Sequence, residues 1–279
     1  MKKNLNYQLI VSDFDGTLVN GDGTISEVNK RAIAEYMSAG GAFAISTGRM
    51  PYGILPRAEE LGLRGLVSCC QGAIIADIAT KEFVFEDTIP YETTLAVVEK
   101  MEAMGLHIHL YGAWEYYCNM DDLALQYYEN AVGHKATLVL DRPLSQFVKE
   151  RKLCSYKILA MVEPKDNAQV LNELAMEQFA GCSVTKSAEF LVEVINAKHS
   201  KGTAIVFLAN YFDAPIEKTI AIGDQQNDLA MIERAGLGVA VKNADKGLLA
   251  IADYVSSYTN EDGAVADTIR RFGFEPYKG

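Results

Sequence analysis

Two aspartates separated by one aromatic residue follow the first apolar stretch of the chain, Leu9 to Val11. These are Asp13 and Asp15, and Gly16 breaks the run directly after them. A short apolar run that ends at a glycine is typical of a buried parallel strand, and open α/β sheets bind ligands just beyond the carboxyl ends of such strands. Two neighbouring carboxylates repel each other, so the pair indicates a cation site, and oxygen ligands suit Mg²⁺. A simple Asp-Gly-Thr turn is the alternative that this stretch leaves open.

Three further segments carry polar groups at or near the ends of predicted strands. They are Thr47-Gly48-Arg49, Lys201, and Asp224 with Asn227 and Asp228. Each segment by itself also fits a turn, a helix start or a helix cap, because short motifs produce false matches. Since parallel strands have their carboxyl ends at one edge of the sheet, we expect these groups to converge with Asp13.

Such a set of groups favours phosphoryl transfer. Asp13 is ionised at neutral pH and can attack phosphorus to give an aspartyl-phosphate. Mg²⁺ held by Asp13, the backbone carbonyl of Asp15 and Asp224 would neutralise the charge of the phosphate. The groups that would hold the phosphate oxygens are the Thr47 hydroxyl, the Gly48 amide and the Lys201 ammonium. Asp15 can protonate the leaving alkoxide and later accept a proton from water.

The predicted elements around these residues alternate strand and helix up to about residue 70, which indicates a doubly wound parallel sheet. After about residue 85, helices mix with adjacent strands, and residues 133–154 show no regular pattern. The parallel pattern returns at Ser200. The predicted fold is therefore α/β: a doubly wound parallel-sheet (Rossmann-like) core of residues 1–85 and 191–279, with an inserted α+β cap domain of residues 86–190.

Composition limits the partners of the chain. A net charge of −11 over 279 residues argues against nucleic acid or an anionic membrane surface as a partner. No apolar run approaches the roughly 20 residues that span a bilayer, and the first apolar run is too short for a signal peptide. The cysteines are odd in number and lack zinc-like spacing, which favours reduced thiols in a cytoplasmic protein; they are Cys69, Cys70, Cys118, Cys154 and Cys182.

The segments DFDGT, STGR, HSKG and GDQQNDLAM resemble the four signature segments of the haloacid dehalogenase-like phosphatases. The long insertion between the second and third segments is similar to that of the Cof-like (type IIB) subclass. The stretches QGAIIAD and VAVKNADKGLLAIADYV resemble further parts of that subclass. The resemblance covers nearly the whole chain and is weak only inside the insertion.

The resemblance implies a Mg²⁺-dependent phosphatase of small phosphorylated metabolites, by default sugar phosphates, in which Asp13 is the nucleophile and Asp15 the acid and base. The implied phosphate-binding residues are Phe14, Thr47, Gly48, Lys201 and Asn227. The implied metal residues are Asp13, Asp15, Asp224 and Asp228. Arg49, Gln71 and Asn243 are candidate substrate contacts, although Gln71 stands where the family usually has Asn, and Lys242 precedes Asn243 where Gly is common.

Two alternatives to hydrolysis stay open at this stage. A phosphomutase would share the aspartyl-phosphate but return the phosphoryl group to another hydroxyl. A metabolite sensor on this fold would bind without turnover, although every expected catalytic side chain is present. The sequence leaves the oligomeric state, monomer or dimer, undecided.

His107 and His109 alternate along one predicted strand and suggest metal ligands. A metal site needs a third ligand, and none lies nearby in the sequence. The favoured interpretation is therefore a half-buried strand face with its aromatic neighbours Tyr111 and Trp114.

Overall fold

The computed structural model describes residues 4–275, which form two units. The first unit contains Ile54–Phe85 together with the segments that end at Arg49 and begin at His199. The second contains Met50–Gly53 and Glu86–Lys198. None of the helices within residues 4–275 combines the length and the apolar character that crossing a membrane requires.

Strands and helices are numbered in chain order. The strands are β1 (Leu9–Ser12), β2 (Ala42–Ile45), β3 (Leu66–Cys69), β4 (Ile74–Asp77), β5 (Phe83–Glu86), β6 (His107–Tyr111), β7 (Tyr116–Cys118), β8 (Thr137–Leu138), β9 (Lys157–Met161), β10 (Cys182–Ala188), β11 (Leu191–Asn196), β12 (Thr219–Gly223), β13 (Leu237–Ala240) and β14 (Tyr254–Val255). The α-helices are α1 (Glu27–Ser38), α2 (Pro51–Glu60), α3 (Tyr91–Ala103), α4 (Leu123–Val132), α5 (Leu144–Arg151), α6 (Asn167–Met176), α7 (Lys201–Tyr211), α8 (Leu229–Arg234), α9 (Lys246–Ile251) and α10 (Ala264–Thr268).

The first unit is built on a parallel sheet with strand order β14-β13-β12-β1-β2. Strand β1, which lies between β12 and β2, is apolar over three of its four residues and wholly buried, as expected for a strand covered on both faces. Ser12 at the end of β1 lies opposite Ile45 of β2 and Ile222 of β12. The three strands therefore end level with one another, and the polar residues that follow them begin at the same edge. The predicted α/β fold with a parallel core is confirmed.

The third predicted strand differs in its pairing from the doubly wound pattern. Strand β3 joins β2 through a single parallel bridge, Ser46 to Ser68, and otherwise pairs antiparallel with β4. Strands β3, β4 and β5 form a separate small sheet. The prediction missed β4 and β5 as strands. The turn between them is stabilised by the Asp77 side chain, which accepts hydrogen bonds from the backbone N–H groups of Ala79 and Thr80.

The second unit is an α+β arrangement around a six-stranded sheet of order β10-β11-β9-β6-β7-β8. Its pairs are antiparallel except for the short β7–β8 pair. Strand β11 pairs with both β9 and β10, so it belongs to this unit. The sequence boundary after residue 190 cuts through the β10–β11 hairpin, because the chain carries no linker or change of composition at the true end of the hairpin.

Residues 133–154 are not irregular as the sequence indicated. They contain β8 and helix α5, whose Leu144, Phe147 and Val148 are buried in the core of the second unit. These apolar residues follow helical spacing, but the helix has only eight residues and many charged neighbours. Tertiary packing rather than a strong local signal therefore stabilises this helix.

Candidate active site

Three carboxylates from two distant parts of the chain meet at the carboxyl edge of the parallel sheet. Ligand oxygens of Asp13, Asp224 and Asp228 all lie within 4.8 Å of one another, and the three residues are buried. The pairing of β1 with β12 places them, since the backbone N–H of Asp13 still donates to the carbonyl of Ile222, 2.9 Å away. The predicted convergence of these strand ends is what the structure shows.

Lys201 supplies the positive charge of this cluster. Its Nζ lies 2.6 Å from Oδ1 of Asp13 and 2.6 Å from Oδ1 of Asp228, and its side chain has no exposure to water. Lys201 is the first residue of α7, where Ser200 and Thr203 form a capping box. The cap fixes the start of the helix and so the point from which the lysine extends.

The loop after β12 is held by its own acidic residues. Oδ2 of Asp228 accepts hydrogen bonds from the backbone N–H groups of Asp224 and Gln225, at 2.9 and 3.1 Å. Oδ1 of Asp224 accepts from the Thr17 hydroxyl at 2.7 Å. Asp228 therefore orients both Lys201 and the Asp224 loop. No role was predicted for Thr17 from the sequence, although its position directly after Asp15 and Gly16 indicated that it lies close to the site.

The electrostatics of the cluster indicate an excess of negative charge. Burial, followed by the charge of Asp228, raises the pKa of Asp13 well above its ordinary value, and Lys201 only partly opposes this. Burial also raises the pKa of Asp224. Burial by itself lowers the pKa of Lys201, but the charges of Asp13 and Asp228 outweigh it, so the net pKa of Lys201 is raised. Three carboxylates share one ammonium.

These residues fit a divalent cation. Their donor atoms are carboxylate oxygens, the ligands that Mg²⁺ prefers. A charge of +2 would balance the carboxylates that Lys201 leaves uncompensated. In addition, Oδ1 of Asn227, next to Asp228 in the chain, is buried without a hydrogen-bond partner among the described residues. Such an orphaned acceptor indicates a ligand or ordered water.

Asp15 lies outside the three-carboxylate cluster. Its carboxylate, about half exposed, accepts two hydrogen bonds from the Arg49 guanidinium, at 2.8 and 2.7 Å. The same guanidinium carbon lies 5.0 Å from the ring centre of the buried Phe14. The predicted metal contact of Asp15 concerned its backbone carbonyl and stays a prediction. Arg49 holds the Asp15 side chain, a relationship that the sequence did not indicate.

Gln71 connects the ends of β2 and β12. Cys70 and Gln71 have φ values of +49° and +57°, a strained left-handed conformation for residues other than glycine. The Gln71 N–H donates to the carbonyl of Thr47 at 3.0 Å, and its Oε1 accepts from Asn227 Nδ2 at 3.3 Å. A Cβ at Gly48 would lie 2.7 Å from Nε2 of Gln71, so a larger residue there would displace the Gln71 side chain. Thr47, Gly48, Gln71 and Asn227 are thus brought together.

Asn243 is positioned by the first unit itself. Its Nδ2 donates to the carbonyl of Gly16 at 2.8 Å, and its Oδ1 accepts from the N–H of Asn260 at 3.0 Å. The Nδ2 atom therefore stabilises the loop that carries Asp15, and the Oδ1 atom connects Asn243 to the segment of Asn260. This is a positioning role, and the predicted substrate contact of Asn243 stays a prediction.

Comparison with known proteins agrees with this geometry. A sequence model of the haloacid dehalogenase-like hydrolases matches residues 10–269. The phosphatase YwpJ of Bacillus subtilis is 28% identical, over 94% of this chain and 99% of its own. A crystal structure of a haloacid dehalogenase-like hydrolase from Bacteroides thetaiotaomicron is 29% identical and covers 95% of this chain and 99% of its own, with a TM-score of 0.84. A haloacid dehalogenase subclass IIB sugar phosphatase shares the fold, with a TM-score of 0.81 at 19% identity over 95% of this chain and 98% of its own.

Proposed function

Since the chain belongs to the haloacid dehalogenase-like hydrolase family and is an enzyme of the phosphatase type, we propose that it hydrolyses small phosphorylated metabolites with the help of Mg²⁺. The reaction proceeds through an aspartyl-phosphate on Asp13. The observation that carries the proposal is the meeting of three buried carboxylates with the buried Lys201 ammonium at one edge of the sheet. That arrangement suits the capture of a phosphate dianion together with a divalent cation.

Asp13, Asp224 and the backbone carbonyl of Asp15 would hold Mg²⁺. Asp228 would orient Lys201 and the Asp224 loop without binding the ion directly. When bound, Mg²⁺ supplies charge neutralisation for the phosphate and for the developing negative charge. Asp228 is suited to the outer role because both its oxygens already accept hydrogen bonds, from Lys201 and from two backbone N–H groups.

Asp13 performs the first displacement. One of its carboxylate oxygens attacks phosphorus, and the bond from phosphorus to the substrate's ester oxygen breaks. Lys201, already 2.6 Å from Oδ1 of Asp13, neutralises the anionic groups and holds a phosphate oxygen. Phe14, Thr47, Gly48 and Asn227 complete the proposed phosphate-binding groups, which is consistent with the unpartnered oxygen of Asn227 and the narrow space at Gly48.

Asp15 moves the protons. It gives a proton to the departing alkoxide, and then takes one from the water that attacks phosphorus in the second displacement. That attack releases inorganic phosphate and restores the Asp13 carboxylate. Arg49, which binds the Asp15 carboxylate through two nitrogens, fixes its orientation between the two steps.

The second unit, which extends to Lys198 where the sequence predicted a cap of residues 86–190, is the proposed source of substrate selectivity. Sugar phosphates are the proposed substrate class, with nucleotides and pyridoxal phosphate as competitors in the same test. Nucleic acid and membranes are not proposed as partners, because the chain carries a net charge of −11.

The test is a panel of phosphorylated metabolites with release of inorganic phosphate as the readout, in Mg²⁺ and in EDTA. We expect Mg²⁺-dependent release from several sugar phosphates and none from the Asp13→Asn variant. Exchange of the phosphoryl group between hydroxyls without phosphate release would identify a phosphomutase. Binding without either reaction would identify a sensor, and both results would overturn the proposal.

A further inference from the structure

A second group of metal-ligating atoms lies in the second unit, on the β6–β7 hairpin. Nε2 of His107 is 3.1 Å from Sγ of Cys118 and 3.1 Å from Nε2 of His109. The three ligand atoms all lie within 4.8 Å of one another, and all three residues are buried. Two imidazoles and one thiol form a donor set suited to Zn²⁺ and unlike the oxygen donors of the first unit.

The strand geometry explains why the sequence did not reveal this group. His107 and His109 are two residues apart on β6, so their side chains share one face of the sheet. Antiparallel pairing places Cys118 of β7 directly opposite His109. The missing third ligand lies only nine positions after His109 in the sequence, and the register of the hairpin brings the two side by side.

Asp122 orients the first of these ligands. Its Oδ2 lies 3.0 Å from Nδ1 of His107, while its Oδ1 caps helix α4 by accepting from the N–H of Leu125 at 2.9 Å. The helix cap holds the carboxylate in place, and the carboxylate keeps the proton of His107 on Nδ1. Nε2 of His107 then carries the lone pair of the ring, which is directed at His109 and Cys118. In protein zinc sites, a ligating histidine usually donates the N–H of its other ring nitrogen to a carboxylate or a carbonyl oxygen.

One ligand of the cluster, His107, borders a cavity. A cavity of about 990 Å³ in the second unit is lined by His107, Met120 and Asp122, among other residues. Burial lowers the pKa of His107 and, with the charge of His107, that of His109, so both rings are neutral and able to ligate. Burial raises the pKa of the Cys118 thiol to about 12, so it is protonated until a metal displaces the proton.

We propose that the second unit binds one Zn²⁺-class ion through Nε2 of His107, Nε2 of His109 and Sγ of Cys118. Binding forms two metal–nitrogen bonds and one metal–sulfur bond, and releases the Cys118 thiol proton to solvent. Tetrahedral zinc with bonds of about 2.1 and 2.3 Å separates its ligands by somewhat more than the present contacts, so each ligand moves outward by a few tenths of an ångström. The fourth position takes water.

The same atoms also close a metal-free network, and this network is the competing explanation. In it, Nε2 of His107 accepts from Nε2–H of His109, and the Cys118 thiol donates to the carbonyl of Met120 at 3.1 Å. A chain stabilised in this way alone would have no affinity for zinc at this place. The two explanations therefore differ in a measurable property that does not depend on the proposed phosphatase reaction.

The test uses the full chain, stripped of metal and held in excess Mg²⁺ so that the carboxylate cluster of the first unit is occupied. Titration with Co²⁺ is followed by absorption spectroscopy, and titration with Zn²⁺ by calorimetry. We expect one equivalent of each ion, with intense tetrahedral Co²⁺ bands and a thiolate charge-transfer band. Oxygen ligands alone would give no thiolate band, so its absence from the wild-type protein would overturn the proposal whether or not any variant folds.

Variants localise the site. Asp122→Asn keeps the helix cap, because asparagine caps as well as aspartate, yet should weaken Zn²⁺ affinity by roughly 10- to 100-fold. Cys118→Ser should abolish the thiolate band, whereas Cys154→Ser, at an exposed cysteine of the same unit, should leave it unchanged. A band that survives Cys118→Ser, or that is lost in Cys154→Ser, would contradict the assignment.

Discussion

The ammonium nitrogen of Lys201 lies 2.6 Å from a carboxylate oxygen of Asp13, and less than a tenth of either side chain is exposed to water. A buried pair of this kind is stable only while both partners are present, because removal of one leaves an uncompensated charge. The same lysine also neutralises Asp228. The proposed nucleophile is therefore positioned and partly neutralised before any substrate binds.

Replacement of Lys201 by methionine should remove this compensation. We expect kcat/KM for a generic phosphate ester to fall by roughly 10²- to 10³-fold, the usual effect of removing one electrostatic donor. The free energy of unfolding in EDTA should fall by about 3–5 kcal/mol, and Mg²⁺ should restore part of it. Lys149→Met, at an exposed ion pair with Glu99, is the control and should change neither measurement. Unaltered kinetics in Lys201→Met would refute the role of the lysine.

Two glycines offer a matched test of the Asp224 position. Gly16 and Gly23 both have positive φ values, +77° and +80°, so alanine costs about 1–3 kcal/mol of backbone strain at either. Only at Gly16 would the new Cβ meet a neighbour, 2.4 Å from Oδ2 of Asp224. Gly16→Ala should therefore lower activity by roughly 10²-fold and weaken Mg²⁺ binding, while Gly23→Ala should only reduce stability. Equal activity losses in the two variants would show that Asp224 does not need its present position.

Acidity should act on Mg²⁺ binding and on stability in opposite directions. Because the pKa values of Asp13 and Asp224 are raised in the folded state, protons compete with Mg²⁺, and Mg²⁺ affinity should fall as pH falls. In EDTA, Asp13 and Asp224 bind more protons in the folded protein than in the unfolded chain. Their protonation therefore stabilises the fold fully below about pH 3.8, and this stabilisation is lost as the pH rises through their raised pKa values. Calorimetric Mg²⁺ titrations and urea unfolding in EDTA measure the two effects. The stability difference between wild type and Asp224→Asn should shrink toward low pH, and a constant difference would argue against the raised pKa.

Glu129 should show the reverse dependence in the second unit. Its Oε1 accepts from the N–H of Ala136 at 2.9 Å and its Oε2 from Lys135 at 2.5 Å. Burial alone raises its pKa, but these hydrogen bonds outweigh it and the pKa is lowered. Glu129→Gln should thus cost about 1 kcal/mol at neutral pH, and the cost should disappear as pH falls from about 4.5 through the lowered value. Urea unfolding across this range measures it; a cost that persists in acid would mean that charge is not involved.

Much of the first unit was predictable because its signals are local. The apolar strands that end in Asp13, Thr47 and Asp224 place their polar residues at one edge once the sheet is parallel. The predicted haloacid dehalogenase-like family, the fold class and the phosphatase enzyme class are confirmed. The individual roles of the site residues stay predictions.

What could not be predicted depends on long-range pairing. Thr17 binds Asp224 across 207 positions of sequence, and the Arg49–Asp15 pair requires knowledge of how two loops face each other. Gln71 is strained because its φ is positive, and nothing in the residue type glutamine predicts a positive φ. Cys118 joins His107 and His109 only through strand pairing, so the sequence interpretation without a third ligand was reasonable and incomplete.

The most direct test of the central claim is mass spectrometry of the acid-quenched reaction. With an aryl phosphate, whose leaving group departs without a proton, Asp15→Asn should slow mainly the second displacement, so a single phosphoryl group should accumulate on the peptide that contains Asp13. The same peptide from Asp13→Asn should carry none, and that variant should release no phosphate although it is folded. Phosphate release by Asp13→Asn at the wild-type rate, or a phosphoryl group on another residue, would contradict the account.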